Sequence, residues 1–83
     1  HGSKQPLQRS QRRAVGDTGG DVEALQSMLA LYGYGVEISG IFDRQTEAVV
    51  EAFQRHFRPR KVDGVADGST LRTLQRLLAS MRS

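Results

Sequence analysis

The sequence predicts an all-α fold, a compact three-helix bundle with two long structured loops. Three stretches carry apolar residues at three- and four-residue spacing, the period of one helix face. Turn-forming clusters rich in glycine and aspartate separate them. The chain has 83 residues and no cysteine, so it can neither bury a large core nor staple a small one with disulfides. Short helices joined by shaped loops suit such a chain. The helices are expected at about 20–33, 44–57 and 68–80.

His1-Gly2-Ser3 has the look of an expression-tag remnant. Residues 4–15 are polar, lack a periodic apolar face and read as a basic linker or loosely docked arm, with Leu7 and Val15 as its anchors. The domain is expected to occupy residues 16–83, beginning at the turn cluster Gly16-Asp17-Thr18-Gly19-Gly20. In the first helix Val22, Leu25, Met28, Leu29 and Tyr32 share a face, and Gly33 and Gly35 end it. Val36, Ile38 and Ile41 then point inward from a short extended stretch. Asp43 caps the second helix, whose inner side is Thr46, Val49, Val50, Phe53 and Phe57. Pro59 closes that helix. Val62 and Val65 turn inward from the next loop, and Asp67 caps the third helix. Its stripe is Leu71, Leu74, Leu77, Leu78 and Met81.

An internal repeat links the two loops. Gly40-Ile41-Phe42-Asp43-Arg44-Gln45-Thr46 and Gly64-Val65-Ala66-Asp67-Gly68-Ser69-Thr70 both read G, apolar, x, D, x, x, T, 24 residues apart. Glycine permits the tight turn. The apolar residue is expected to plug the turn into the core. Aspartate caps the helix, and the threonine hydroxyl is placed to bond back to the cap backbone in the manner of a capping box. The repeat is read as scaffold.

The net charge of +3 belongs to the tail. Lys4, Arg9, Arg12 and Arg13 precede the first acid, whereas residues 17–83 hold 8 Lys and Arg against 9 Asp and Glu. A nucleic-acid reader would need a basic face on the domain itself. Only Arg55, Arg58, Arg60 and Lys61 cluster there, and they read as a solvated helix end favoured by the helix dipole. No stretch approaches the ~18 apolar residues of a membrane span, so no membrane insertion is expected. No export signal is visible, and any signal is expected to lie outside this sequence.

The chemistry-bearing residues do not assemble into a reaction centre. A catalytic zinc needs about three protein ligands, and outside the tag the chain offers one histidine, His56. That residue sits mid-helix, reads as a partly exposed packing side chain, and has no serine beside it to activate. Glu47 and Glu51 are i,i+4 on one helix and read as a solvated face, whereas glycosidase carboxylates oppose each other across a cleft. The glycine clusters lack the strand and lysine of a phosphate loop. No cofactor, metal or catalytic residue is assigned, and a binding module is expected.

The residues in order resemble the type-1 peptidoglycan-binding domain family. The resemblance rests on Gly16-Asp17-Thr18-Gly19-Gly20-Asp21-Val22 with Leu25-Gln26 and Leu29, on Gly33-Tyr34, and on Ser39-Gly40-Ile41-Phe42-Asp43 with Thr46. It continues in Ala48-Val49 with Phe53-Gln54 and in Asp63-Gly64-Val65-Ala66-Asp67 with Thr70. It covers residues 16–78, and Phe53-Gln54-Arg55-His56-Phe57-Arg58-Pro59 further resembles the C-terminal domain of N-acetylmuramoyl-L-alanine amidases. Ser39 stands where the family has aspartate and Asp43 where it has glycine, so no binding role is carried to Ser39.

The resemblance implies non-catalytic binding of cell-wall peptidoglycan, glycan and stem peptide, by a module tethered to a hydrolase in the cell envelope, periplasmic or extracellular. A monomer with no nucleic-acid partner is expected. Tyr32 and Tyr34 are candidates to present rings to sugars, and Arg44, Gln54, Arg58 and Arg60 to meet carboxylates and amides. Phe42 reads as core. Two other classes compete: a protein–protein or pro-domain module packing on its own enzyme, and a nucleic-acid binder using the basic arm.

Overall fold

The computed structural model describes residues 12–82. Helix α1 spans Gly20–Tyr32, α2 Arg44–Phe57 and α3 Gly68–Arg82. The fold is the expected all-α bundle, and the described residues contain isolated β-bridges but no strand. The boundaries differ from the expected ones by a residue at the end of α1 and two at the end of α3.

Spacing explains the core. Val22, Leu25 and Leu29 of α1, Val50 and Phe53 of α2 and Leu74 of α3 are all at most 1% exposed. Two more core residues come from the loops, Phe42 and Ala66. Fully burying side chains of this size contributes about 1.5–3 kcal/mol each for the larger ones. Helix α1 ends at Gly33 in the left-handed conformation, φ +119°. The Gly33 N–H donates to the Ala30 carbonyl and the Tyr34 N–H to the Leu29 carbonyl, the two bonds of a Schellman cap.

Several side chains expected to face inward face out. Val15, Ile38, Ile41 and Met81 are 40–58% exposed. For Ile41 the reason lies in the repeat. In extended backbone successive side chains point to opposite sides. The position after the apolar residue, Phe42 in one loop and Ala66 in the other, is the plug, so Ile41 turns outward. Leu7, the other expected anchor, lies outside the described residues.

Backbone hydrogen bonds dock the last residues of the expected arm. Arg13 exchanges two backbone hydrogen bonds with Ala66, of 3.0 and 2.8 Å. Farther along, Gly16 N–H donates to Phe42 O, Phe42 N–H to Asp17 O and Gly19 N–H to Gly40 O. Residues 13–19 therefore lie across both loops, and backbone pairing rather than an apolar anchor docks them.

Candidate functional site

Each repeated turn closes around a buried glutamine. Gln26 of α1 and Gln54 of α2 are both 0% exposed. Gln26 Oε1 accepts from the N–H groups of Ser39 and Gly40, each at 2.9 Å. Its Nε2 donates to the Ile41 carbonyl (3.1 Å) and the Thr46 hydroxyl (3.0 Å). Gln54 repeats the pattern. Its Oε1 accepts from Asp63 and Gly64 N–H (3.1 and 3.0 Å), and its Nε2 donates to the Val65 carbonyl (2.9 Å) and the Thr70 hydroxyl (3.2 Å). Buried amides must be satisfied, and each of these two satisfies itself by fixing a loop. Gln54, expected at the ligand surface, is thus an interior scaffold residue with no face free for a ligand.

The caps complete the device. Asp43 Oδ1 accepts from the Thr46 N–H and hydroxyl, at 3.0 and 3.1 Å. The threonine hydroxyl thus bonds the cap side chain and not, as expected, the cap backbone. The Thr46 N–H, first among several hydrogen bonds, holds the Asp43 carboxyl below its ordinary value. Around Asp67, burial alone would raise the carboxyl. The Thr70 N–H and hydroxyl, Arg58 and Lys61 outweigh burial and hold it lowered. Arg58 Nη1 donates to Asp67 Oδ1 at 3.0 Å and to the Thr70 hydroxyl at 2.7 Å, and Lys61 Nζ lies 3.7 Å from Asp67 Oδ2. The expected solvated basic cluster is therefore split. Arg58 is largely buried in the second turn, while Arg60 is exposed beside it.

Tyr32 and Tyr34 flank the α1 cap with rings stacked at 6.3 Å. Tyr32 meets Phe57 edge-on at 5.7 Å and Tyr34 meets Phe53 edge-on at 6.2 Å. Such pairs add about 0.5–1.5 kcal/mol beyond burial. Both tyrosines are half-buried, so part of each side chain remains accessible. Burial first, and Tyr32 second, raise the Tyr34 phenol above its ordinary value, leaving a neutral hydroxyl that can donate and accept. His56 is exposed and stands edge-on to Phe57 at 4.4 Å.

The six candidates do not converge. Tyr32, Tyr34, Arg58 and Arg60 lie near the C-terminal end of α2, with Arg58 already committed to Asp67. Arg44 begins α2, about 20 Å away along a 14-residue helix. It is 82% exposed and paired with Glu47 at 3.0 Å. Glu47 and Glu51 are half-buried over Gly64, not on a fully solvated face.

One concavity has no signal in the sequence. A cleft of about 180 Å³ runs between α1 and α3. Its walls are Ala24, Leu25 and Met28 on one side and Leu71 and Gln75 on the other, with an Arg13–Asp21 ion pair at the mouth. Arg13 belongs by composition to the basic arm. No group of three or more His, Cys, Asp or Glu side chains among the described residues is placed to hold a metal ion.

The family model described as "Putative peptidoglycan binding domain" matches residues 18–79. The chain belongs to the peptidoglycan-binding domain family. The domain is 40% identical over 58 residues to N-acetylmuramoyl-L-alanine amidase AmiD of Escherichia coli (strain K12), a match covering 70% of this chain and 21% of that protein. A peptidoglycan-binding protein from Clostridioides difficile matches with a TM-score of 0.75 and 35% identity, over 80% of this chain and 41% of that one. The SleB N-terminal domain matches with a TM-score of 0.74 and 34% identity, over 81% and 92%. The chain thus spans about a fifth of the curated relative and nearly all of the isolated SleB domain. The family read from the residues is the family found, and the function class is peptidoglycan binding.

Proposed function

We propose that this peptidoglycan-binding domain is a non-catalytic module that holds an attached cell-wall hydrolase, of the N-acetylmuramoyl-L-alanine amidase class, on its substrate. The observation that carries this reading is the extent of the family match. It begins at the first turn and runs through all three helices, so it takes in both glutamine-locked loops. AmiD, a named amidase about five times the length matched here, supports the attachment. The setting is the cell envelope, periplasmic or extracellular, and the domain acts as a monomer.

Glycan and stem peptide are met by the open faces of Tyr32 and Tyr34 together with Arg60, and Arg44 gives a second, separate contact. Aromatic rings offer apolar faces to sugar C–H groups, and arginine forks match carboxylates. Each contact is weak. A polymeric ligand compensates by keeping the attached enzyme at high local concentration. Nucleic acid is not a partner in this reading, because the excess positive charge lies in the arm and Arg13 is engaged by Asp21.

Co-sedimentation with purified peptidoglycan sacculi tests the assignment. The folded domain pellets with sacculi, and Tyr34→Ala lowers the pelleted fraction severalfold without loss of helical signal. An unchanged fraction for Tyr34→Ala, Tyr32→Ala and Arg60→Ala together would remove the aromatic end as the contact surface.

A further inference from the structure

The cleft between α1 and α3 has a chemistry that neither the fold nor the aromatic end requires. At its mouth a guanidinium and a carboxylate face each other. The Arg13 side chain is only 16% exposed, and its Nη2 donates to Asp21 Oδ2 while Nη1 donates to the Arg12 carbonyl at 2.8 Å. Behind this pair the walls are aliphatic: Leu25 and Met28 from α1 and Leu71 from α3. Gln75, one turn beyond Leu71, brings an exposed amide to the same space. Asp21 and Met28 are seven residues apart on one helix, so the cleft runs about 10 Å from its charged to its apolar end.

We propose that this cleft binds an α-amino-acid head carried on an aliphatic chain, the chemistry of the free end of diaminopimelate in an uncrosslinked stem peptide. The inference rests on the wall-binding function and names the part of the polymer this site takes. The match is one of charge and length. A ligand carboxylate replaces the Asp21 carboxylate on the Arg13 fork, and a ligand ammonium replaces the guanidinium at Asp21. Opening one ion pair forms two, and no charge is left unpaired. The methylene chain lies along Leu25, Met28 and Leu71. A volume of about 180 Å³ suits one such side chain. The Arg13 backbone is fixed to Ala66 and its Nη1 to the Arg12 carbonyl, which limits the ordering that a ligand must impose.

Amide chemical-shift titration of the full chain tests this with three peptides: L-alanyl-γ-D-glutamyl-meso-diaminopimelate, the same peptide with its free side-chain amine acetylated, and the lysine analogue, which lacks the terminal carboxylate. The first shifts the amides of Asp21, Met28, Leu71 and Gln75, and the other two bind at least fivefold more weakly. Asp21→Asn, at a side chain 74% exposed, keeps the spectrum of the folded domain and weakens the first peptide about tenfold. Ala24→Met, which fills the cleft from α1, abolishes the same shifts. Equal binding of all three peptides, shifts confined to Tyr32 and Tyr34, or no effect of Asp21→Asn each overturn the inference. If any of these is seen while the wild-type chain still pellets with sacculi, the cleft inference fails and the wall-binding function stands. Failure to pellet sinks the function itself.

Discussion

At the scale of single residues, two buried glutamines hold the loops, and one of them, Gln54, is expected from the sequence to sit at the ligand surface. Gln26 or Gln54 changed to alanine leaves two loop N–H groups and a carbonyl without their partner. Each such group costs about 1–3 kcal/mol when buried, so a loss of about 3 kcal/mol or more is expected for either variant. Total stabilities of about 5–15 kcal/mol are usual, and urea unfolding will show the loss as a lower midpoint. The signal was present in the sequence as Leu25-Gln26 and Phe53-Gln54, each a core residue followed by an amide. It was obscured because the partners lie 13 residues downstream in the first case and 9 in the second. A repeat sought at a fixed offset of 24 residues finds the turns and misses what holds them. Ser39 is clearer once this is seen. It bonds the Ile41 N–H at 3.2 Å just as Asp63 bonds the Val65 N–H at 3.0 Å, so the departure from the family's aspartate preserves a turn.

The cap residues carry a prediction about acid. Asp67 has a folded pKa below its unfolded value near 3.8. Its contribution is therefore complete above about pH 4 and is lost as the pH falls through the lower folded value. Asp67→Asn keeps a capping side chain but removes the charge facing Arg58 and Lys61, and is expected to lower stability at neutral pH by about 1 kcal/mol. It should also flatten the acid limb of a plot of thermal midpoint against pH.

At the scale of elements, helix positions were legible because periodicity and caps agree. Asp43 and Pro59 bracket α2, and Gly33 ends α1 with its own hydrogen bonds. Loop interiors were less legible. The pattern G, apolar, x suggests that the apolar residue is the plug. The glutamine instead holds the carbonyl of Ile41, and the following residue, Phe42, enters the core. Alternation along extended backbone then turns Ile41 out, whatever its hydropathy. Gly64 shows how little room a turn has. It sits at φ +76°, and an added Cβ would come within 2.8 Å of Glu47 Cγ. Gly64→Ala is expected to cost about 1–2 kcal/mol from the left-handed backbone alone, measurable as a drop in thermal midpoint. Glu47→Ala should recover only the steric part of that loss. Tyr32 and Tyr34 were legible as a pair at the α1 end, but that they stack on each other and lean on Phe57 and Phe53 depends on α2 packing beside α1.

At the scale of the whole molecule, one short segment ties the design together. Residues 13–19 pair with the first turn through Gly16, Asp17 and Gly19 and with the second through Arg13. The polar, basic composition of residues 4–15 hides this, because backbone pairing leaves no hydropathy signal. The cleft between α1 and α3 was hidden for the same reason, since that segment supplies Arg13, the cationic half of its charged mouth. Residues 17–83 hold 8 Lys and Arg against 9 Asp and Glu, a near-neutral stretch beside a basic tail. Peptidoglycan binding should accordingly belong to the fold. The most direct measurement is co-sedimentation with purified sacculi across a salt series, for the wild-type chain and for the Lys4→Gln, Arg9→Gln double variant. Both should pellet to the same extent at each salt concentration, because the binding surface lies on the bundle. A chain that stays in the supernatant while folded, or one whose pelleting disappears with those two charges, would contradict the account.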